Sequence, residues 1–204
     1  MAPWKKAVFE TGSKLGESMN IEKLVQATGY LLKKYDNRRL NYTKLIKELY
    51  LADREAIDES NSSITGDSYV SMKHGPVLST LYDLIRGKVK SDIQAYWDTR
   101  FSTDGTDLIA NFDQYPIGKL SRAETAILDN IDGKFHQKRF GEMIDYVHAE
   151  CPEWKNPGDT SSPINFEDIL RVLGRTQQEI DWIVEDKKIF EEEEKVFASL
   201  AVEA

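Results

Sequence analysis

Four side chains in this sequence have the types from which a chemical site is usually built: Asp53, His74, His148 and Cys151, the last being the only cysteine. At about 100° per helical residue, Asp53 falls in the middle of the apolar face drawn by Tyr42, Ile46, Leu49, Ala56 and Ile57. An ionised carboxylate left alone there costs several kcal/mol, so Asp53 must meet a cation or a cluster of backbone N–H donors. The segment Thr65 to Val77 is expected to supply them. Two roles stay open: a structural bond that pins the turn and strand to the helix, or a direct ligand-binding or catalytic carboxylate.

The histidines are read more plainly. His74 shares a strand face with Val70 and Met72, and His148 lies at the edge of a stripe made by Phe140, Ile144 and Val147. Both are taken as satisfied core or boundary residues, with an enzyme using Asp53 and His74 or His148 as the alternative. His148 with Cys151 suggests a metal pair or a Cys/His nucleophile, but two ligands do not make a zinc site and no third lies nearby. Gly66-Asp67-Ser68 lacks the flanking glycines of a nucleophile elbow, and neither a P-loop nor a dinucleotide fingerprint occurs. No catalytic residue, metal or cofactor is assigned.

The elements that must position these residues follow from periodicity. Ile21 to Tyr35 reads as a helix behind an Asn20 cap, and Trp4 to Leu15 as a shorter arm before it. Tyr42 to Ile57 is the clearest amphipathic helix, with Lys44, Lys47, Arg54 and Glu55 opposite its apolar face. Thr65-Gly66-Asp67 is a turn, and Ser68 to His74 alternates as a short strand. Gly75-Pro76 ends that strand, and Pro76 opens a helix carrying Val77, Leu78, Leu81, Leu84 and Ile85 before Gly87 stops it. Trp97 to Phe101 and Leu108 to Phe112 form a hairpin turned at Asp104-Gly105. Beyond it, capping boxes are expected at Ser121/Glu124 and Thr176/Glu179. Helices follow over Phe140 to Ala149, over Phe166 to Leu173 before Gly174, and from Thr176 toward Ser199.

Composition limits what such a chain does. The 204 residues suit one domain, and a globule of that size buries about 70% of its unfolded surface. A net charge of −8 and a pI near 5.0 disfavour a partner read through its phosphates. The one dense basic run, Lys33, Lys34, Arg38, Arg39, Lys44 and Lys47, is read as the solvated surface of a helix pair. A lone cysteine, no signal-peptide stretch and no membrane span place the chain in the cytosol.

A resemblance adds to this reading. Lys44-Leu45-Ile46-Lys47-Glu48-Leu49-Tyr50-Leu51-Ala52-Asp53-Arg54 is followed by Ile64-Thr65-Gly66-Asp67-Ser68-Tyr69-Val70, then by His74-Gly75-Pro76-Val77 with Leu81-Tyr82. This block resembles the hallmark of Panacea (SocA-like antitoxin) domains. Leu120-Ser121 to Leu128 and Val147-His148-Ala149-Glu150-Cys151-Pro152-Glu153-Trp154 extend the likeness more loosely, with Val147 standing where the family often has Ser or Thr. The resemblance implies a binding module, an antitoxin that neutralises a cognate protein toxin by direct contact. A SocA-type adaptor that delivers its toxin to a ClpXP protease is the alternative. It does not choose among an alarmone synthetase-like toxin, another translation inhibitor and a membrane-active peptide. No nucleic acid and no membrane are expected among its partners.

The expected architecture is mainly α with a small antiparallel β-sheet, a single compact helical domain over 20–204 with residues 1–19 as an arm or short helix. One sheet is expected, the Ser68 to His74 strand lying beside the Trp97 to Phe112 hairpin. With Val70 and Met72 inward, Tyr69, Ser71 and Lys73 face a partner. Tyr69, Lys73, His74, Gly75, Pro76, Val77 and Tyr82 are then the candidate partner-binding residues, or they merely finish the sheet and cap the helix. Asp53, His148 and Trp154 are assigned structural polar roles. The arm around Trp4 and Phe9 is the next candidate surface.

Overall fold

In the computed structural model, which describes residues 20–89, 92–112 and 117–200, the chain is organised around one helix. The side chains of 191 and 194–200, and the arm expected over Trp4 to Leu15, lie outside the described residues. Helix α1 (Ile21–Leu32) begins where Asn20 accepts the Lys23 N–H at 3.1 Å, as its sequence signature implies. It ends short of Tyr35, because Asn37 and Arg38 take left-handed backbone angles in the turn that follows. Strand β1 (Arg39–Asn41) leads directly into α2 (Tyr42–Ser60), whose first turn is capped by Asn41 Oδ1 accepting the Thr43 and Lys44 N–H groups.

The two-faced reading of α2 is overturned: every residue from Lys44 to Asp53 is buried. The helix is an axis, packed by α1, by β3 (Gly75–Leu78), by α5 (Arg122–Phe135), by α6 (Phe140–Glu150) and by α7 (Phe166–Val172). Lys44 and Lys47, expected in solvent, are 4% and 1% exposed. Their aliphatic stems cover apolar neighbours, and each ammonium ends on a backbone carbonyl. Lys44 Nζ donates to the His136 carbonyl at 2.7 Å and Lys47 Nζ to the Pro76 carbonyl at 2.6 Å.

The single sheet is also corrected, since two three-stranded antiparallel sheets form. In one, β2 (Tyr69–Met72) lies between β3 and β6 (Ser162–Ile164); in the other, β5 (Asp107–Ala110) lies between β1 and β4 (Phe101–Asp104). The strand at 69–72 therefore never meets the hairpin. Its neighbours are its own return strand, with Ser71 opposite Pro76, and a three-residue strand from far along the chain, with Tyr69 opposite Ile164. Pro76 does not open a helix; it sits in β3 at the edge of the sheet, where its missing N–H breaks no ladder bond. Helix α3 (Ser79–Ile85) starts three residues later. Trp97 belongs to helix α4 (Asp92–Asp98) and not to the hairpin, which turns after Asp104 on Gly105 at φ +59.

The C-terminal half follows its caps. Ser121 and Glu124 close a capping box on α5, and Thr176 and Glu179 exchange the same pair of bonds at the start of α8 (Gln177–Leu200). The core, a single compact α+β domain, runs from Leu24 and Leu31 through Leu45, Leu49 and Ile57 to Leu128, Met143, Val147, Ile169 and Ile180.

Candidate functional site

Asp53 is fully buried and accepts at least four hydrogen bonds. The Ile64 and Thr65 N–H groups reach Oδ1 at 2.9 Å each, while the Thr65 hydroxyl at 2.5 Å and the Tyr69 hydroxyl at 3.0 Å reach Oδ2. Four donors match the lone-pair sites of a carboxylate, so this one is saturated within the fold. What it fixes is the loop leaving α2: Asn61 ends the helix in the left-handed region, and Ile64 and Thr65 are drawn back against it.

Asp67 repeats the device one turn on. The first residues of α3 have no side-chain cap of their own, and Asp67 supplies it from outside. Its Oδ1 accepts the Ser68 and Thr80 N–H groups and its Oδ2 the Leu81 N–H at 2.9 Å, so a buried carboxylate faces the positive end of the helix. Burial pushes its pKa up, against the pull of those N–H groups. Gly66, at φ +67, lets the chain turn between the two carboxylates.

The platform expected on β2 is corrected by parity. Tyr69 and Ser71 face inward, 6% and 1% exposed, while Val70 and Met72 are half-buried. Tyr69 buries a large ring because its hydroxyl finds Asp53, and it meets Tyr50 edge-on at 5.5 Å. Gly75, Pro76 and Val77 form a fully buried strand, so no free helix N-terminus exists there. Gly75 sits at φ +99, where an added Cβ would stand 2.6 Å from Val147 Cγ2 and 3.3 Å from Lys47 Nζ. Of the proposed contact set, Lys73 and His74 remain exposed at the hairpin tip, and Tyr82 is half-buried with its hydroxyl accepting from Arg86 Nη1. Lys73 reaches Asp159 at 2.9 Å, an exposed pair of little energetic consequence.

The second histidine also lies elsewhere than the sequence suggests. His148 is exposed and stacks flat on Trp154, ring centroids 3.9 Å apart, while Trp154 Nε1 donates to the Met72 carbonyl at 2.8 Å. Partial burial, then the charges of Lys47 and His74, lower the His148 pKa. His74 is at the hairpin tip and not on a face with Val70 and Met72. Cys151 is buried, and that burial pushes its thiol up to about 12, far from a thiolate nucleophile. Among the described residues no group of three His, Cys, Asp or Glu is placed to hold a metal, and no helix is long and apolar enough to cross a membrane.

Three features escaped sequence reasoning. Glu153 is buried and accepts from the Tyr50 hydroxyl at 2.6 Å and from Arg54 Nε at 2.9 Å, tying the turn after α6 to α2. Glu48 is buried beside the Tyr35 hydroxyl and Lys44, and desolvation raises its pKa to about 7. The third is at the surface, where Trp182, Ile189 and Phe190 of α8 are 67%, 51% and 61% exposed. A cleft of about 430 Å³ separates α8 from the loop that Asp53 holds, with Asn20, Ser60, Thr65, Trp182 and Phe190 among its walls. The signal was present: Trp182 and Ile189 are seven residues apart on the side opposite Ile180 and Ile183.

Residues 45–155, more than half of the chain, match the family described as antitoxin SocA-like, Panacea domain. No curated protein and no solved structure matches the chain.

Proposed function

The chain belongs to the SocA-like antitoxin family defined by the Panacea domain, and on that premise we propose that it neutralises a cognate protein toxin by binding it directly. The observation that supports this reading is where the polar chemistry of the family block goes. Asp53 has at least four donors, Asp67 caps α3, and Lys47 ends on a carbonyl, so these groups build a scaffold and offer nothing to a reacting substrate. An enzyme built on Asp53 with His74 or His148 would need that carboxylate to orient an imidazole, whereas its acceptor capacity is already filled. The partner is a protein met in the cytosol, without nucleic acid or lipid. From the sequence-derived contact set, Lys73, His74 and the rim of Tyr82 are proposed to reach it, and Tyr69, Gly75, Pro76 and Val77 to act only by holding the strands.

The test uses the product of the open reading frame beside this gene, taken as the candidate toxin. Purified antitoxin added at equal concentration should relieve that toxin's activity in a reaction containing no protease. Relief that appears only when ClpXP and ATP are supplied would assign the adaptor mechanism instead. No relief under either condition would remove the antitoxin reading.

A further inference from the structure

We propose that the guanidinium of Arg54 is the anchor for an acidic side chain, an Asp or a Glu, of the protein partner. This rests on the reading of the protein as a binder of another protein. Arginine carries five N–H donors in a planar fork, and one that is largely buried is expected to spend them within the fold. Arg54 spends only its Nε. Its side chain is 22% exposed, and the Nε donates to Glu153 Oε1 at 2.9 Å. Neither Nη group has an acceptor among the described residues, and neither is sealed from solvent. Two other half-buried arginines behave as expected, Arg100 Nη1 donating to the Tyr96 carbonyl at 2.8 Å and Arg175 Nη2 to the Asp58 carbonyl at 2.6 Å.

The base of the fork is fixed from beneath. Glu153 is 7% exposed, and its Oε1 takes the Tyr50 hydroxyl at 2.6 Å together with the Arg54 Nε, while its Oε2 accepts no bond among the described residues. One N–H thus joins the two side chains, not the two parallel bonds of a fork–fork pair, and the Nη groups are left for a second carboxylate. Asp58, one turn further along α2, is the acid best spaced to supply it from within the chain. It is drawn away, because Arg175 takes the Asp58 carboxylate at 3.2 Å as well as the carbonyl. A guanidinium gripped at Nε has lost much of its side-chain freedom before any partner arrives. A carboxylate docking on it gains two charge-assisted bonds at little entropic cost, and arginine is prominent among the residues that dominate binding energy.

The turn that carries Glu153 also leads to Lys73 and His74. Trp154 follows Glu153, and its Nε1 donates to the Met72 carbonyl at 2.8 Å, beside those two exposed residues. Arg54 and the hairpin tip are therefore joined through 153–154 and 72, and a partner seated on the tip has a fixed cation within the same framework. The open positive fork selects a negative group. An acid on a protein suits it better than a phosphate polymer, which the net charge of −8 repels as a whole.

The probe is the product of the open reading frame beside this gene, taken as the candidate toxin and titrated calorimetrically against the full chain. Arg54→Lys keeps a cation for Glu153 and removes the fork. It should weaken binding about 10-fold or more with the melting temperature held, and the loss should shrink at high salt. Should Arg54→Lys not fold, Arg54→Gln/Glu153→Gln, which strands no charge, repeats the test. In parallel, each exposed Asp or Glu of the candidate toxin is changed to Asn or Gln. One of these changes should weaken binding to wild type and have little further effect on Arg54→Lys. Arg54→Lys within twofold of wild type overturns the anchor while leaving the antitoxin reading intact, and so does a weakening that couples to no carboxylate of the toxin. Wild type that does not bind the candidate toxin overturns both readings together. Arg54-dependent binding of a duplex RNA in place of the toxin assigns the fork to phosphate and overturns the proposal.

Discussion

On the loop side of the cleft, residues 61–67 are held by polar groups turned inward, two buried carboxylates between them accepting at least seven hydrogen bonds. On the helix side, α8 is seated by Ile180 and Ile183 and turns Trp182, Ile189 and Phe190 outward. The contrast separates two kinds of importance. Where polar side chains are consumed by the protein's own backbone, a substitution is felt as lost stability. Where apolar side chains are left in water, it is felt only when something arrives to cover them.

Asp53→Ala should be the most damaging. It strands two N–H groups and two hydroxyls in a buried site, and hydrogen bonds to a charged acceptor are among the stronger ones, so the loss should be about 3–5 kcal/mol in denaturant unfolding. Asp53→Asn keeps an acceptor for Ile64 and Thr65 but turns an amide toward the hydroxyls, and should cost less. A change below about 0.5 kcal/mol for Asp53→Ala would erase the distinction between the two walls.

That Asp53 is buried was readable from the helical wheel, as were the Asn20 cap, the two capping boxes and the helix stop at Gly174. These are local signals, settled within one turn of chain. What was not readable is non-local or depends on atoms that a polar/apolar pattern does not count. Strands of three residues such as β1 and β6 show no period, so the separation into two sheets had no trace in the sequence. The parity of β2 was inverted because Val and Met outrank Tyr and Ser in hydrophobicity, yet Tyr69 has a carboxylate to bond and Ser71 Oγ accepts the Lys155 N–H at 3.3 Å. A polar/apolar pattern puts Lys44 and Lys47 in solvent, because it does not register the carbonyl from another element at the end of each stem.

Gly75→Ala comes next. The new methyl meets Val147 at a distance no packed carbon tolerates, on a backbone angle that L-residues avoid. Overpacking and the left-handed conformation together should lower stability by about 2–3 kcal/mol, with β3 and α6 pushed apart. The equivalent change at Gly87, which has φ +65 and nothing within 4 Å, should cost only the conformational part, about 1 kcal/mol. Equal losses at the two glycines would show that the Val147 contact is relieved without effort.

Lys47 gives a prediction in pH. Burial lowers its pKa from 10.5 to about 7, so between those values the unfolded chain holds a proton that the folded chain has released. Stability from this group therefore rises as pH increases from 7 toward 10.5, and a charged Lys47 below pH 7 is the least favourable state. Lys47→Met removes the titration and leaves the Pro76 carbonyl without its donor. The stability of wild type relative to Lys47→Met should therefore increase by about 1–2 kcal/mol between pH 7 and pH 9. A difference that is flat in pH would mean that the ammonium keeps its proton inside the fold.

The smallest effect is expected from the largest side chain. Trp182→Ala deletes an indole that is 67% exposed, on a face of α8 that touches no part of the core, so unfolding free energy should change by less than about 0.5 kcal/mol. Alanine is also the better helix former, which offsets part of whatever contact the ring makes with the neighbouring cleft wall. Asp53→Ala and Trp182→Ala thus form a crossed pair: the first should lower the denaturation midpoint strongly, and the second should leave it in place. A drop above about 1 kcal/mol for Trp182→Ala would place the indole in the domain's own packing, as an extension of the Ile180 and Ile183 face. The outer side of α8 would then belong to the scaffold, and the difference between the two walls would reduce to one of composition.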